Sequence, residues 1–175
     1  YVRHKGYHIN PKNTLLLGEY LGNDLSKIAN ELGKVFINIE KGKEITAELI
    51  EKYIGVSKEY NNFELNNALA VKNVEKANRI IYHFGKDPKD HPFVVTLAML
   101  YNFFSKILCY HYSPDKSQNN IASVLKIHPF IVKEYQLAAS NYSARKALYI
   151  IELLREYDMK SKGVENNSTS DAELM

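Results

Sequence analysis

The chain has 175 residues, of which 45% are hydrophobic and 25% are charged, a balance that is ordinary for a globular protein and excludes global disorder. Its net charge of +3 is small and evenly spread, which argues against the concentrated basic face of a free-standing DNA-binding domain. The single cysteine, Cys109, excludes an internal disulfide framework and favours a reducing compartment, so we expect a cytoplasmic protein.

The chain opens with what reads as the middle of a helix, over residues 1–5. Because it begins at Tyr1 without a methionine, we expect a fragment whose N-terminal part is missing. The next helix is predicted to begin at Asn10, a capping residue, and Pro11, a residue favoured at the first helical position. It is predicted to end near Leu21.

A glycine corner is predicted to separate this helix from the following one. Gly22 can adopt the left-handed conformation in which many helices end. Asn23 is predicted to cap the next helix, with Asp24 in its first turn, where the helix dipole favours a negative charge. That helix is predicted to reach Ile39 with one apolar face, made of Leu25, Ile28, Leu32, Val35, Phe36 and Ile39.

A shorter helix completes the first half of the chain. Thr46 is predicted to cap it, and Ile45 and Ile50 are placed to pack against each other across its first turn. Gly55 ends this helix. The segment over 56–61 then has the pattern of a link between two helical lobes.

The second half is predicted to be helical almost throughout. The helix that begins after Pro92 is apolar on nearly every side, which is typical of a central helix in a bundle or of a membrane span. Polar residues interrupt it before an apolar run reaches the roughly 20 residues of a membrane span, so we predict a central helix with Cys109 in the core. Residues 163–175 lack apolar periodicity and are predicted to be a disordered tail. Two helices are predicted to begin at Asn62 and at Asn73. Four more are predicted over 92–112, 117–126, 129–142 and 144–160.

The sequence carries no catalytic motif. The phosphate-binding loop, the nucleophile elbow and the zinc-binding His-Glu-x-x-His helix are all missing. Cys109 and His111 would point in different directions on a helix, and Gly6 lies between His4 and His8. We therefore predict no catalytic residues, no metal ligands and no bound cofactor.

Residues 117–142 have the pattern of a DNA-binding helix-turn-helix. The second helix would offer Lys133 and Gln136 to base edges, but it also carries Glu134, and Lys126 stands where a turn glycine is usual. A packed helical corner is the favoured interpretation, and a DNA-binding module is the alternative. The tyrosines at helical spacing could stack on bases, but we predict half-buried core residues at Tyr53, Tyr82, Tyr101, Tyr149 and Tyr157.

Several short motifs occur in an order that matches one known family. They are Gly22-Asn23-Asp24-Leu25 with the helix after it, Ile45–Gly55, Phe63-Glu64-Leu65, and Ile121–Lys133 with Ile127-His128-Pro129-Phe130 inside it. Together they resemble the delta subunit family of bacterial DNA polymerase III, a family of clamp-loader subunits, over residues 6–162. The match also accounts for the helix-turn-helix pattern without DNA reading. The chain departs from the family at Gly33, Lys126 and the polar tail.

The resemblance implies an all-α fold with two domains. Residues 1–58 are expected to form a small helical domain like the lid of AAA+ proteins. This domain would be shortened if an N-terminal part is missing. A helical-bundle collar domain for oligomerisation is expected over 59–162, and the tail follows over 163–175. The implied role is that of a clamp-loader subunit, which helps to load the sliding clamp onto primed DNA within the DNA polymerase III holoenzyme. No catalysis is expected from this chain itself, although that holoenzyme is a nucleotidyltransferase.

The resemblance also implies partners. The collar would bind the delta-prime and tau/gamma subunits, the missing N-terminal domain would bind the sliding clamp, and primed DNA would lie within the complex; no membrane partner is implied. From the sequence we choose candidate positions for contact with a partner subunit or the DNA backbone: Tyr110, Tyr112, Lys133, Arg145 and Lys146.

Overall fold

The computed structural model describes residues 1–22, 24–57 and 59–164. Within these ranges the chain is almost entirely helical, and the only strands are two of two residues each. The predicted all-α fold is confirmed. From residue 165 onward the predicted tail lies outside the described residues.

The chain divides into two compact units, Tyr1–Phe63 and the described residues from Glu64 onward. The elements of the first unit are β1 His8–Ile9, α1 Pro11–Leu21, α2 Leu25–Asn38, β2 Glu44–Ile45 and α3 Ala47–Ile54.

The start of the chain is not the predicted helix. Residues 2–6 form a turn that ends at Gly6, whose φ of 85° favours glycine. The buried Tyr7 follows and donates its hydroxyl to the carbonyl oxygen of Phe36 at 3.0 Å. β1 then pairs in parallel with β2, His8 opposite Glu44. These contacts join residues far apart in sequence, which a local helical pattern cannot reveal.

The caps of α1 and α2 were predicted in part. Asn10 caps α1 as predicted, its side chain accepting the amide of Asn13 at 2.8 Å. Gly22 follows α1 with a φ of 73°. The cap of α2 is Asp24, whose carboxylate accepts the amides of Ser26 and Lys27, and not Asn23, which lies outside the described residues. An ionised carboxylate at this position makes stronger hydrogen bonds than an amide oxygen.

The first unit has its own apolar core. Ile45 and Ile50, predicted to pack across the first turn of α3, are both fully buried in it. Leu25 is 79% exposed and does not belong to the packed face predicted for α2, because it lies in the first turn, at the exposed end of the helix. The buried members of this core are Tyr7, Leu16, Leu17, Leu21, Leu32, Val35, Ile45, Ile50 and Val56.

The second unit is a bundle in which most of the helices follow the predicted bounds closely. Its elements are α4 Asn62–Ala70, which begins in the first unit, α5 Val74–Lys86, α6 Phe93–Tyr112, α7 Gln118–Leu125, a 3-10 turn Pro129–Ile131, α8 Val132–Asn141 and α9 Ala144–Ser161. Asn73 caps α5 as predicted and accepts the amide of Lys76 at 2.9 Å. The core includes Phe103, Phe104, Ile107, Ile121, Leu125, Val132, Tyr135, Ala138, Tyr142 and Ala147.

The long helix α6 is packed on one side only. The ring centroids of Phe103 and Tyr135 are 5.4 Å apart, and those of Phe104 and Tyr142 are 5.3 Å apart. These contacts hold α6 against α8 and the residue that follows it. On the other side Val95 is about half exposed. Cys109 is exposed, so its predicted burial is wrong. A helix that is apolar all round has no period from which its packed face can be read.

Among the described residues α6 alone has the length and hydropathy of a possible membrane span, a test that core helices also pass. In this structure it packs against α8 and α9. Of the five tyrosines predicted to be half-buried in the core, Tyr53 is half-buried as predicted, whereas Tyr82, Tyr101, Tyr149 and Tyr157 are exposed.

Candidate functional site

The helix α9 is an amphipathic helix that packs Ile150, Ile151 and Leu154 against the core and leaves other apolar residues exposed. Ala147 is its one fully buried residue among those described. Leu148 and Tyr149 are 47% and 56% exposed, although they lie in the middle of a regular helix. Apolar side chains left on one surface of a helix are typical of a place where another protein binds.

A groove of about 540 Å³ opens between α6 and α9. Each wall is a stripe at helical spacing over two turns, so both helices present a continuous ridge to the groove. The α6 wall consists of Val94, Leu97, Ala98 and Tyr101, and the α9 wall consists of Ile151, Glu152, Leu154, Arg155 and Asp158.

The charged groups of the groove lie on the α9 wall. Asp158 forms an ion pair with Lys162, with 2.6 Å between Oδ2 and Nζ. In the described part of the chain, neither Glu152 nor Arg155 forms an ion pair, although they are one helical turn apart. The groove therefore combines apolar lining side chains with two charges of opposite sign, those of Glu152 and Arg155, which can bind a partner.

A second region lies where α6 ends and α9 begins. Nε2 of His111 lies 2.7 Å from the carbonyl oxygen of Tyr142. The hydroxyl of Tyr142 donates to the carbonyl oxygen of Leu69 at 2.9 Å, and the Asn141 amide donates to that of Ala70 at 2.7 Å. These bonds bring together the C-terminal ends of α4, α6 and α8.

Positive charges surround this junction, and we call Lys72, Lys116, Arg145 and Lys146 the basic end. Lys72 Nζ lies 5.3 Å from the centre of the Tyr142 ring, and Lys116 Nζ lies 4.5 Å from that of Tyr110. Arg145 and Lys146 are exposed in the first turn of α9, which has no acidic residue. Cations in a first turn oppose the helix dipole, at a cost of about 0.3–1 kcal/mol each, and favour the binding of anions there.

One acidic residue, Asp115, is the chain neighbour of Lys116 of the basic end. Hydrogen bonds from the backbone N–H and the hydroxyl of Ser117, at 2.8 and 2.9 Å, hold the pKa of Asp115 below its ordinary value. Asp115 therefore stays ionised and offsets part of the positive charge. Burial raises the pKa of the Tyr142 phenol, which keeps this hydroxyl a donor to Leu69.

Of the predicted contact residues, Arg145 and Lys146 belong to the basic end, and the ring of Tyr110 contacts Lys116 of that end. Tyr110 is half-buried beneath Lys116, and Tyr112 is 77% exposed. Lys133 is exposed as predicted but lies in the first turn of α8, at the other end of that helix from the junction. Lys72 and Lys116 were not predicted from the sequence, since their proximity depends on the contacts of Tyr142 and Tyr110.

The helix-turn-helix segment forms a compact corner. α7 ends at Lys126, whose φ and ψ are both 51°, a left-handed conformation that favours glycine. Pro129–Ile131 then leads directly into α8. The exposed positions of α8 include Lys133, Gln136, Leu137 and Ser140. A surface with this little positive charge is poorly suited to reading a DNA groove.

In the described part of the chain, no group of three or more His, Cys, Asp or Glu residues could hold a metal ion. The structure presents two candidate surfaces, the α6–α9 groove and the basic end.

Comparison with known proteins identifies the family. The family model for the DNA polymerase III delta subunit, C-terminal domain, matches residues 59–175. The chain is 33% identical over 141 residues to DNA polymerase III subunit delta of Bacillus subtilis (strain 168), an alignment that covers 78% of this chain and 40% of that protein. The solved structure of the Bacillus subtilis DNA clamp loader delta protein is similar with a TM-score of 0.66 and 27% identity, over 99% of this chain and 50% of that one.

The chain thus spans half or less of the length of these two relatives. The matched region includes all of α4–α9, and with them every residue of the groove and of the basic end. The chain therefore belongs to the DNA polymerase III delta subunit family, and its second half corresponds to the C-terminal domain of that family.

Proposed function

We propose that this chain is the assembly part of a clamp-loader subunit, which holds the subunit in the complex that loads the sliding clamp onto primed DNA. Residues 1–58 are the small lid-like helical domain, and residues 59–162 are the collar domain. The chain acts in the cytoplasm and contributes no catalysis of its own to the polymerase holoenzyme.

The observation that carries this proposal is the exposed apolar surface on α6 and α9, within the region that matches the family. Val94, Val95 and Tyr101 on α6 and Leu148 and Tyr149 on α9 are each between 47% and 56% exposed. Protein interfaces are most apolar at their centre and are enriched in tyrosine. Sister subunits, namely delta-prime and tau/gamma, are the partners that this surface binds.

The other partners follow from the family rather than from this surface. The sliding clamp is bound by a part of the whole subunit outside this chain, and the primed DNA lies within the assembled complex. Lys133, which lies apart from the basic end, is a candidate for contact with a neighbouring subunit.

A second contact, with the DNA backbone, is supported by the basic end. Lys72, Lys116, Arg145 and Lys146 are exposed, and Tyr112, the last residue of α6, is 77% exposed. Phosphate contacts by lysine and arginine give affinity without sequence preference, and an exposed tyrosine can stack on an unpaired base. The alternative, a sequence-reading module over 117–142, is less well supported because α8 carries little exposed positive charge.

Association with purified sister subunits tests the proposal. The chain is expected to co-elute with delta-prime and tau/gamma in size-exclusion chromatography with light scattering. Elution of the chain apart from both, at concentrations where the full-length subunit binds, would remove the proposed function.

A further inference from the structure

We propose that residues 165–175, which we call the acidic segment, bind the basic end of the same chain and compete there with the phosphates of DNA. Asp171 and Glu173 supply the two carboxylates that make this contact. The inference depends on the proposed function, since it names a regulator of the DNA contact at the basic end. The acidic segment itself lies outside the described residues.

The acidic segment and the basic end are opposite in charge. Residues 165–175 contain three acidic residues and no basic residue. The four cations of the basic end come from three parts of the second unit: Lys72 lies between α4 and α5, Lys116 lies between α6 and α7, and Arg145 and Lys146 lie in α9. Complementary charge of this kind favours one partner over others.

The basic end has charge that is not yet neutralised. In the part of the chain that the structure describes, no acidic side chain forms an ion pair with Arg145 or Lys146. Both lie in the first turn of α9, where the helix dipole adds a partial positive charge. Lys72 contacts the ring of Tyr142, which directly precedes Ser143, the N-cap of α9. A carboxylate at this end of α9 therefore meets three cations from two elements.

A turn at the end of α9 determines where the acidic segment begins. The N–H of Gly163 donates to the carbonyl oxygen of Lys160, and the N–H of Val164 donates to that of Met159, both at 3.0 Å. With a φ of 82° at Gly163, these two bonds form a Schellman motif, which turns the chain out of the helix. The acidic segment therefore starts beside the last turns of α9.

Two of the three carboxylates can reach the first turn of α9 from this point. Residues 145 and 159 are 14 apart in the helix, which corresponds to about 21 Å at about 1.5 Å per residue. Asp171 and Glu173 follow Val164 by seven and nine residues. An extended chain covers about 3.3 Å per residue, so these two carboxylates reach about 23 and 30 Å.

The C-terminal end of α9 is a poor site for the same carboxylates. Its lysines already have partners, since Lys160 pairs with Glu156 and Lys162 pairs with Asp158, each at 2.6 Å. The negative end of the helix dipole also lies there. Glu165 is confined to this end because it follows the turn directly. It is therefore a control for the other two acidic residues.

The contact lowers the affinity of the basic end for DNA. Carboxylates on Arg145 and Lys146 occupy the charges that neutralise phosphates, so DNA has to displace the acidic segment. Because phosphate contacts carry no sequence information, the reduction applies to every DNA sequence alike. A ligand tethered to its site acts at a high effective concentration, so even weak ion pairs compete.

Neutral substitutions in the full chain test the competition. Asp171→Asn with Glu173→Gln removes both carboxylates, and we expect affinity for a primed DNA oligonucleotide to rise by about 3- to 10-fold, the effect of two exposed ion pairs. The gain should shrink as salt is raised, because exposed ion pairs are screened. Glu165→Gln with Glu40→Gln, both at positions away from the contact in sequence, makes the same change in net charge and should leave affinity unchanged.

A second set of variants tests where the carboxylates act. In a chain that already carries Arg145→Gln and Lys146→Gln, removing the two carboxylates should have no further effect on DNA affinity. An equal gain in both backgrounds would show that the carboxylates act through the net charge of the chain, and it would overturn the contact with the basic end.

A carbodiimide, which joins a carboxylate directly to a lysine amine, tests the contact in the absence of DNA. We expect cross-linked peptides that join Asp171 or Glu173 to Lys146 within one chain. Cross-links only to lysines at the C-terminal end of α9, only between two copies of the chain, or none at all would overturn the assignment.

The outcomes separate this inference from the proposed function. If neither the unmodified chain nor the variant without the two carboxylates binds DNA, the proposed DNA contact fails, and the competition fails with it. If both bind DNA equally well, the acidic segment does not compete, and the proposed function stands.

Discussion

Nε2 of His111 lies 2.7 Å from the carbonyl oxygen of Tyr142 and so joins the last turn of α6 to the residue that follows α8. Because a carbonyl oxygen can only accept, the imidazole must carry a proton on Nε2. This bond holds the C-terminal end of α6 beside the N-terminal end of α9. Both helices line the groove, and α9 also carries Arg145 and Lys146. Both candidate surfaces therefore depend on the same junction.

Replacing His111 tests that junction. His111→Phe keeps an aromatic side chain but removes the donor, so the half-buried carbonyl of Tyr142 loses this partner. We expect the free energy of unfolding to fall by about 1–3 kcal/mol, the cost of an unsatisfied buried group. Urea denaturation measures the change. Tyr112→Phe, which alters an exposed neighbour, is the control with no expected effect; equal stability of both variants would show that the bond contributes little.

The left-handed residue at the end of α7 offers a stabilising substitution. Lys126 has φ and ψ of 51°, a conformation that glycine adopts at no steric cost. We expect Lys126→Gly to raise the free energy of unfolding by roughly 0.5–1 kcal/mol, a part of the penalty that an L-residue meets there. Ser123→Gly, inside α7, is the matched control and should be destabilising by a similar amount. A loss of stability in Lys126→Gly would contradict the conformation of this corner.

His91 predicts a pH dependence of stability. Its ring stacks on the buried Phe84, with centroids 4.1 Å apart. Burial, and secondarily the charge of His83, lower the pKa of His91 below its ordinary value of 6.5, although Asp87 and Asp90 act in the opposite direction.

The unfolded chain therefore binds this proton more readily than the folded chain does. The contribution of His91 to stability is complete above about pH 6.5 and is lost as the pH falls through the lower, folded-state pKa. We expect His91→Gln to lose less stability than the unmodified protein between pH 7.5 and 5, as measured by urea denaturation at each pH. Parallel curves for the two proteins would rule out this role of His91.

DNA binding in varied salt tests the basic end. Removing the charges of Arg145 and Lys146 as Arg145→Gln and Lys146→Gln should weaken binding to primed DNA equally for unrelated sequences. The slope of log affinity against log salt should fall in magnitude by roughly 0.7–0.9 for each phosphate that is no longer neutralised. Lys133→Gln, at the other end of α8, should leave the slope unchanged. Sequence-dependent binding that Lys133→Gln abolishes would instead favour the helix-turn-helix alternative.

Helix ends were predictable from sequence where a local side-chain bond fixes them. Asn10 and Asn73 each accept an amide three residues further on, and Gly55 ends α3 with a φ of 86°. The turn before β1 was not predictable, since it depends on Tyr7 reaching the carbonyl of Phe36. Non-local contacts of this kind override the helical tendency of residues 1–5.

The candidate site was less predictable than the fold. α6 is apolar on every side, so the sequence could not tell that Cys109 and Tyr101 face away from the packed core. The groove has no motif, because its walls come from stripes on two helices far apart in sequence. Arg145 and Lys146 could be chosen from exposure expectations, whereas Lys72 joins them only through its contact with Tyr142.

The most direct test of the central claim is the mass of the complex that this chain forms with purified delta-prime and tau/gamma subunits, measured by light scattering. We expect one complex that contains this chain and all of these subunits. When residues 62–162 are deleted from the chain, we expect no complex that contains it. A chain that stays separate from the sister subunits, or that assembles equally well without residues 62–162, would contradict the proposed role in assembly.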